Sequence, residues 1–171
     1  MTTTHGSQER VDIAGQLAKQ RGFLRYTVQG LTDEQASSRP TPSELCLAGI
    51  IKHVARVEKR WTGFIVNGSA GMNVMSPESM QEHAASFQVQ PGETLAGLLD
   101  AYDEVARETD KLVYELESLD VSQSLPDAPW FEPGSRWTAR QVFLHIIGET
   151  AQHSGHADII REAIDGAKTM G

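Results

Sequence analysis

Thr138-Ala-Arg-Gln141-Val-Phe-Leu-His145-Ile-Ile-Gly-Glu149-Thr-Ala-Gln-His153-Ser-Gly-His156-Ala-Asp-Ile-Ile-Arg-Glu-Ala-Ile164 reads as one long helix. A capping box marks its start. The Thr138 hydroxyl takes a backbone N–H three residues on, and the Gln141 side chain reaches back to the N–H of Thr138. No proline interrupts the segment, and Gly166 follows it where a glycine cap is common. A helix this long owes its stability to other elements that cover its apolar face.

Three further helical patterns supply those partners. From about Thr94 to Leu119, Leu95, Leu98, Tyr102, Val105, Leu112, Leu116 and Leu119 recur at three- and four-residue steps. From near Ser43 to about Asn67, Cys46, Ile50, His53, Val57, Trp61 and Phe64 share one face, and Gly68 ends the run. From about Gln8 to Gly30, Ile13, Leu17, Leu24 and Val28, with Leu31 just beyond, form a third stripe. Thr32 and Gln35 repeat the capping box before a short turn, and Arg39-Pro40-Thr41-Pro42 breaks the chain.

Two long connections remain. Residues 68–92 are rich in Gly, Ser, Met, Gln and Pro and read as a crossover loop, either a lid or partly helical, with a helical turn after Ser76-Pro77-Glu78. Residues 120–137 carry Pro126, Pro133 and Gly134 and read as a second loop. No segment alternates with a strand period. The pattern predicts an all-α protein, an up-down four-helix bundle with a long crossover loop. It predicts a single domain over 1–171 whose polar residues 1–7 are frayed.

Composition narrows the class. The 171 residues suit one domain, and with glycine the apolar share is about 48%, within the usual globular range. No apolar run is long enough to span a membrane, and the first ten residues show no signal-peptide pattern. The single cysteine, Cys46, excludes an internal disulfide and a Cys-rich zinc site, which fits a reducing, cytoplasmic location. A net charge of −8 is the wrong sign for binding nucleic acid or an anionic membrane.

The chemistry gathers on the last helix. At about 100° per residue, His145, Glu149, His153 and His156 fall within about 80° of one another, so three imidazoles and a carboxylate project from one stripe. Glu149 and His153 are one turn apart and can reach one ion. His53, on the inward face of its own helix, points toward them. Two imidazoles, a carboxylate and an open fourth position suit a catalytic zinc site. Singly, each residue has a plainer reading: a buried core histidine, or an exposed helix glutamate paired with a neighbour. A carboxylate among inward-facing imidazoles favours the metal, since burying it unpaired is costly.

Other residues divide. Arg21 interrupts the apolar stripe of the first helix. It reads first as a snorkelling stem with a wet guanidinium, and second as an anchor for a substrate carboxylate. Cys46 reads as core packing, as do Met72, Met75 and Met80 with the loop. Trp61 and Trp130 read either as core or as walls of an apolar pocket, and Trp137 as a staple ahead of Thr138. His5 lies in the polar tail and His83 in the crossover, and both are set aside.

The His145–His156 segment resembles the last-helix signature of the DinB-like superfamily. His53-Val-Ala-Arg-Val-Glu-Lys-Arg-Trp61 is similar to that superfamily's second-helix motif, a histidine followed by Glu and an aromatic. The stretch from Gly155 to Gly166 resembles the actinobacterial branch once named for a mini-circle protein. The resemblance implies a four-helix bundle with a divalent metal, usually zinc or nickel, held by three side chains. Most members use three histidines. Here Glu149 takes the middle place, as in mycothiol-dependent maleylpyruvate isomerase and its relatives, giving His53, Glu149 and His153. A carboxylate hardens the site, which leaves zinc, nickel, manganese and iron open. His145 and His156 would then support the ligands or face the substrate, with Trp61 and Arg21 beside them.

The resemblance further implies thiol transfer. Characterised members use the low-molecular-weight thiol of their host, mycothiol or bacillithiol, as co-substrate. The metal would hold that thiol as thiolate for attack on an electrophilic or xenobiotic substrate, in a homodimer. Two other readings stand beside it: a hydrolase or isomerase that uses a metal-bound water, and a helical module in which a metal, if held at all, is structural.

Overall fold

The computed structural model describes residues 4–72 and 77–169. Its long helices are α1 (Thr4–Tyr26), α3 (Leu47–Asn67), α5 (Leu95–Glu115) and α6 (Ala139–Asp165). Shorter ones are α2 (Asp33–Ser37) and α4 (Pro77–Ser86). Both predicted capping boxes form, at Thr32/Gln35 and at Thr138/Gln141. Gly166 closes α6 in the left-handed conformation at φ 80°, which a side chain would resist. The expected fraying over 1–7 falls partly on residues 1–3, outside the described residues, and the backbone is already helical from Thr4.

Boundaries shift where backbone chemistry outweighs periodicity. The α3 helix begins at Leu47 and not near Ser43, because Pro40, Pro42 and a Ser43 hydroxyl that accepts the Leu45 N–H (3.1 Å) hold the preceding residues in bends. The crossover contains a full helix, α4, as well as the 3₁₀ turn Gly68–Gly71, so it is far more ordered than a single helical turn. Pro77 at its first position loses nothing, since that N–H has no partner inside a helix.

The second connection is not all loop. Strands β1 (Ser122–Ser124) and β2 (Arg136–Thr138) pair antiparallel, with Gln123 opposite Trp137. Three-residue strands are too short to show a period, which is why the alternation was invisible. The ribbon feeds directly into the Thr138 cap. Gln123 also donates to the carbonyl of Ile65 (3.2 Å), which pins the ribbon to the end of α3.

In the bundle, α1 and α3 each pack against both α5 and α6. The buried residues form two clusters. One joins Leu24, Val28, Leu47, Ile50, Ile51, Leu98, Tyr102 and Ile160. The other joins Ile13, Leu17, Trp61, Phe64, Met72, Val113, Val142 and Phe143. Cys46 and Met72 are core, whereas Met80 is exposed and Met75 lies outside the described residues.

Arg21 does not snorkel. It is 4% exposed, and its guanidinium lies against the carboxylate of Glu58, which is fully buried. A second branch donates to Asp110 at 2.8 Å. One arginine of α1 thus ties α3 and α5 together, and no charge is left for a substrate. Removing one partner of such a pair costs about 3–5 kcal/mol, because the other charge stays buried and unpaired. Urea unfolding should show Glu58→Ala destabilised by that amount. The double variant Arg21→Met/Glu58→Leu, with neither buried charge left to strand and only the part-exposed Asp110 unpaired, should be more stable than Glu58→Ala.

Candidate metal centre

The α3 and α6 helices bring three side chains to one point. His53, Glu149 and His153 each offer a ligand atom, and the three atoms all lie within 4.8 Å of one another. Donors about 2.0–2.2 Å from a shared ion stand roughly 3–4 Å apart, so small side-chain rotations close the set. The His153 Nε2 is 3.9 Å from Glu149, and the His53 and His153 rings are 4.9 Å apart, edge to face. The donor chemistry fits a divalent ion: two nitrogens and one carboxylate oxygen, a three-ligand set of the kind that leaves a coordination position unfilled by protein.

Electrostatics keep the imidazoles ready to bind. Burial, reinforced by His153, His83 and Arg56, pushes the pKa of His53 down to about 3. Burial also lowers His153, against the pull of the Glu149 charge. Both rings are therefore neutral at pH 7, with a lone pair to give.

The tautomer of His53 is set by a short relay. The Ser86 hydroxyl donates to the carbonyl of His83 at 2.6 Å. Its one proton is spent there, so at 2.8 Å it accepts from Nδ1–H of His53. The lone pair of His53 is thereby fixed on Nε2. Phe87 stacks on the same ring, 3.7 Å between centroids and 16° between planes. Both supports come from the end of α4, which seats closely on α3 only because residue 49 is glycine. A Cβ there would strike the Phe87 carbonyl.

The flanking histidines lie beside the set. His145 Nε2 stands 3.9 Å from Glu149, and its ring meets Trp61 edge-on at 4.7 Å. Burial lowers its pKa, opposed by Glu149. His156 Nδ1 lies 3.5 Å from His153 Nδ1, in reach of that ring's rear nitrogen. Arg21 is not brought to the site. His83, set aside on sequence, sits 5.3 Å from His53, because α4 carries it there. Ser86 and Phe87 have no sequence signal at all, since nothing local says which loop residue will meet His53.

An apolar cavity of about 480 Å³ opens next to the centre, lined by Trp61, Met72, Met80, Trp130 and Phe131 with Arg60, Ser79 and His83. A narrow cleft lined by His53, Arg56, Val57, Arg60, His83 and Ser86 lies beside it, and Arg60 and His83 border both. Trp137 stacks on Trp61 at 4.9 Å and backs the wall. Its role is thus wider than a staple for the α6 cap. Such a volume suits a small organic ligand.

Comparison with known proteins agrees with this architecture. A crystal structure described as that of a conserved protein from Enterococcus faecalis superposes with a TM-score of 0.61 at 16% identity, over 91% of this chain and 96% of that one. At that identity the likeness is one of fold. No functionally curated protein sequence matches the chain. A family model for mycothiol-S-transferases matches residues 12–166.

Two outcomes follow from this geometry. Ser86→Ala should weaken divalent-metal affinity about 10–100-fold in competition with a chelator, with unchanged helical circular dichroism. The metal-free protein should lose stability as pH falls below about 6.5. There the unfolded chain takes up protons that a folded His53, at about 3, refuses. The loss grows toward the folded value, and urea midpoints at pH 7.5 and 5 should differ less in His53→Leu.

Proposed function

The chain belongs to the mycothiol-S-transferase family, and from that premise we propose that it joins mycothiol to an electrophilic carbon at His53, Glu149 and His153. The observation that carries this reading is the convergence of those three side chains beside an apolar cavity. A divalent ion held there would supply positive charge that lowers the pKa of a thiol beside it.

The chain's own residues do the rest. His53 is locked by Ser86 and Phe87, so its Nε2 needs no reorientation on loading. His145, neutral, beside Glu149 and in contact with the cavity-wall Trp61, takes the thiol proton. The Trp61, Trp130 and Phe131 walls hold the electrophile against the sulfur and thin the water around it. The sulfur pair then forms the C–S bond. With a displaceable group, the old bond's electrons leave with it. With a conjugated acceptor they move to the neighbouring carbon, which recovers a proton. A reducing cytoplasm is the compartment such a thiol requires.

Metal analysis of protein purified without an affinity tag should give near-stoichiometric metal, lost in His153→Ala together with thiol conjugation. Conjugation retained by metal-stripped protein would sink the proposal, and turnover without thiol would point to a hydrolase. In His145→Gln, metal content should stay while conjugation at neutral pH falls about 10²-fold or more.

A further inference from the structure

We propose that the cavity takes an electrophile with an apolar body and a carboxylate, and that Arg60 is the anchor for that carboxylate. The word electrophile rests on the transferase reading above; the anion site does not.

Arg60 lies on α3 seven residues after His53, which places the two within about 20° on the helix. It borders both the apolar cavity and the cleft that holds His53. Every other arginine of the chain has a polar partner. Arg21, Arg25, Arg39, Arg56, Arg107, Arg140 and Arg161 meet carboxylates. Arg10 donates to backbone carbonyls, and Arg136 to serine oxygens. Among the described arginines Arg60 alone makes no hydrogen bond or ion pair.

Glu82 favours the charge of Arg60 from a distance but makes no ion pair with it. Glu82 is taken by Arg56, at 2.7 Å. Arg60 therefore stands half-buried without an ion pair in a mainly apolar wall of Trp61, Met72, Met80, Trp130 and Phe131, with Ser79 and His83 as its other polar members. Its burial and the like charge of Arg56 disfavour the charged form, against a smaller pull from Glu82. Holding an unpaired guanidinium in apolar surroundings is costly. An incoming carboxylate would remove that cost and gain a planar, two-bond contact that a neutral ligand cannot make. In a chain of net charge −8, this is also a locally cationic mouth.

The test is calorimetric titration with 3-phenylpropionate and its primary amide, which share a body and differ only in charge. No thiol is present, so absence of conjugating activity would not bear on the result. Metal-loaded wild type should bind the carboxylate about 10–100-fold more tightly than the amide. Arg60→Met should remove that preference while keeping the amide affinity, which shows that the cavity is intact. Arg60→Lys should keep part of the preference. After chelation the wild-type preference should persist. Equal affinities in wild type, failure of both probes to bind, or a preference that survives Arg60→Met would overturn the proposal. So would a preference that disappears with the metal, because the carboxylate would then be reading the ion.

Discussion

The contact between Arg21 and Glu58 is the fixed point of this bundle. Two charges are taken out of water between α1 and α3, and a third, Asp110 on α5, shares the guanidinium. Such a pair adds little net stability against an apolar alternative, but it penalises every arrangement that separates its members. Helices that could slide by a turn on a leucine surface cannot do so here. His53 lies five residues before Glu58 on α3, so the register that satisfies the ion pair also sets where the first imidazole points. The α6 helix, packed on both α1 and α3, then delivers Glu149 and His153 to the same place.

Around that frame, the site is assembled from two kinds of support. The bundle supplies the three candidate ligands from rigid helices, which is the more precise way to hold them. The crossover and the ribbon supply what surrounds them: Ser86 and Phe87 on one side of His53, Trp130 and Phe131 on the far wall of the cavity. The division matches the chemistry. A metal tolerates little error in its donors, whereas a cavity for small molecules gains from walls on connecting segments.

Much of this was legible beforehand, for physical reasons that differ by residue. The capping boxes at Thr32 and Thr138 are local chemistry and read directly. The stripe from His145 to His156 follows from helix geometry alone, and His53 from its place on an apolar face. What sequence could not supply was tertiary. Arg21 looked like a free cation because its partner, Glu58, is 37 positions away. Arg60 carries no sequence signal of its own, and only the fold places it at the border of the cavity. His83, Ser86 and Phe87 were hidden because glycine-, methionine- and proline-rich composition masks a ten-residue helix. The β ribbon was missed because three residues carry no period.

The seating of α4 on Gly49 has a thermodynamic corollary. One short helix carries Ser86 and ends at Phe87, which hold His53, and it also presents Met80 and His83 to the cavity. Any molecule that fills the cavity and steadies α4 would therefore steady the imidazole offered to an ion. Linkage makes the effect mutual: occupancy of either position raises affinity at the other by the same factor. On the proposed reading, ion retention would be a property of the loaded cavity as much as of its three candidate ligands.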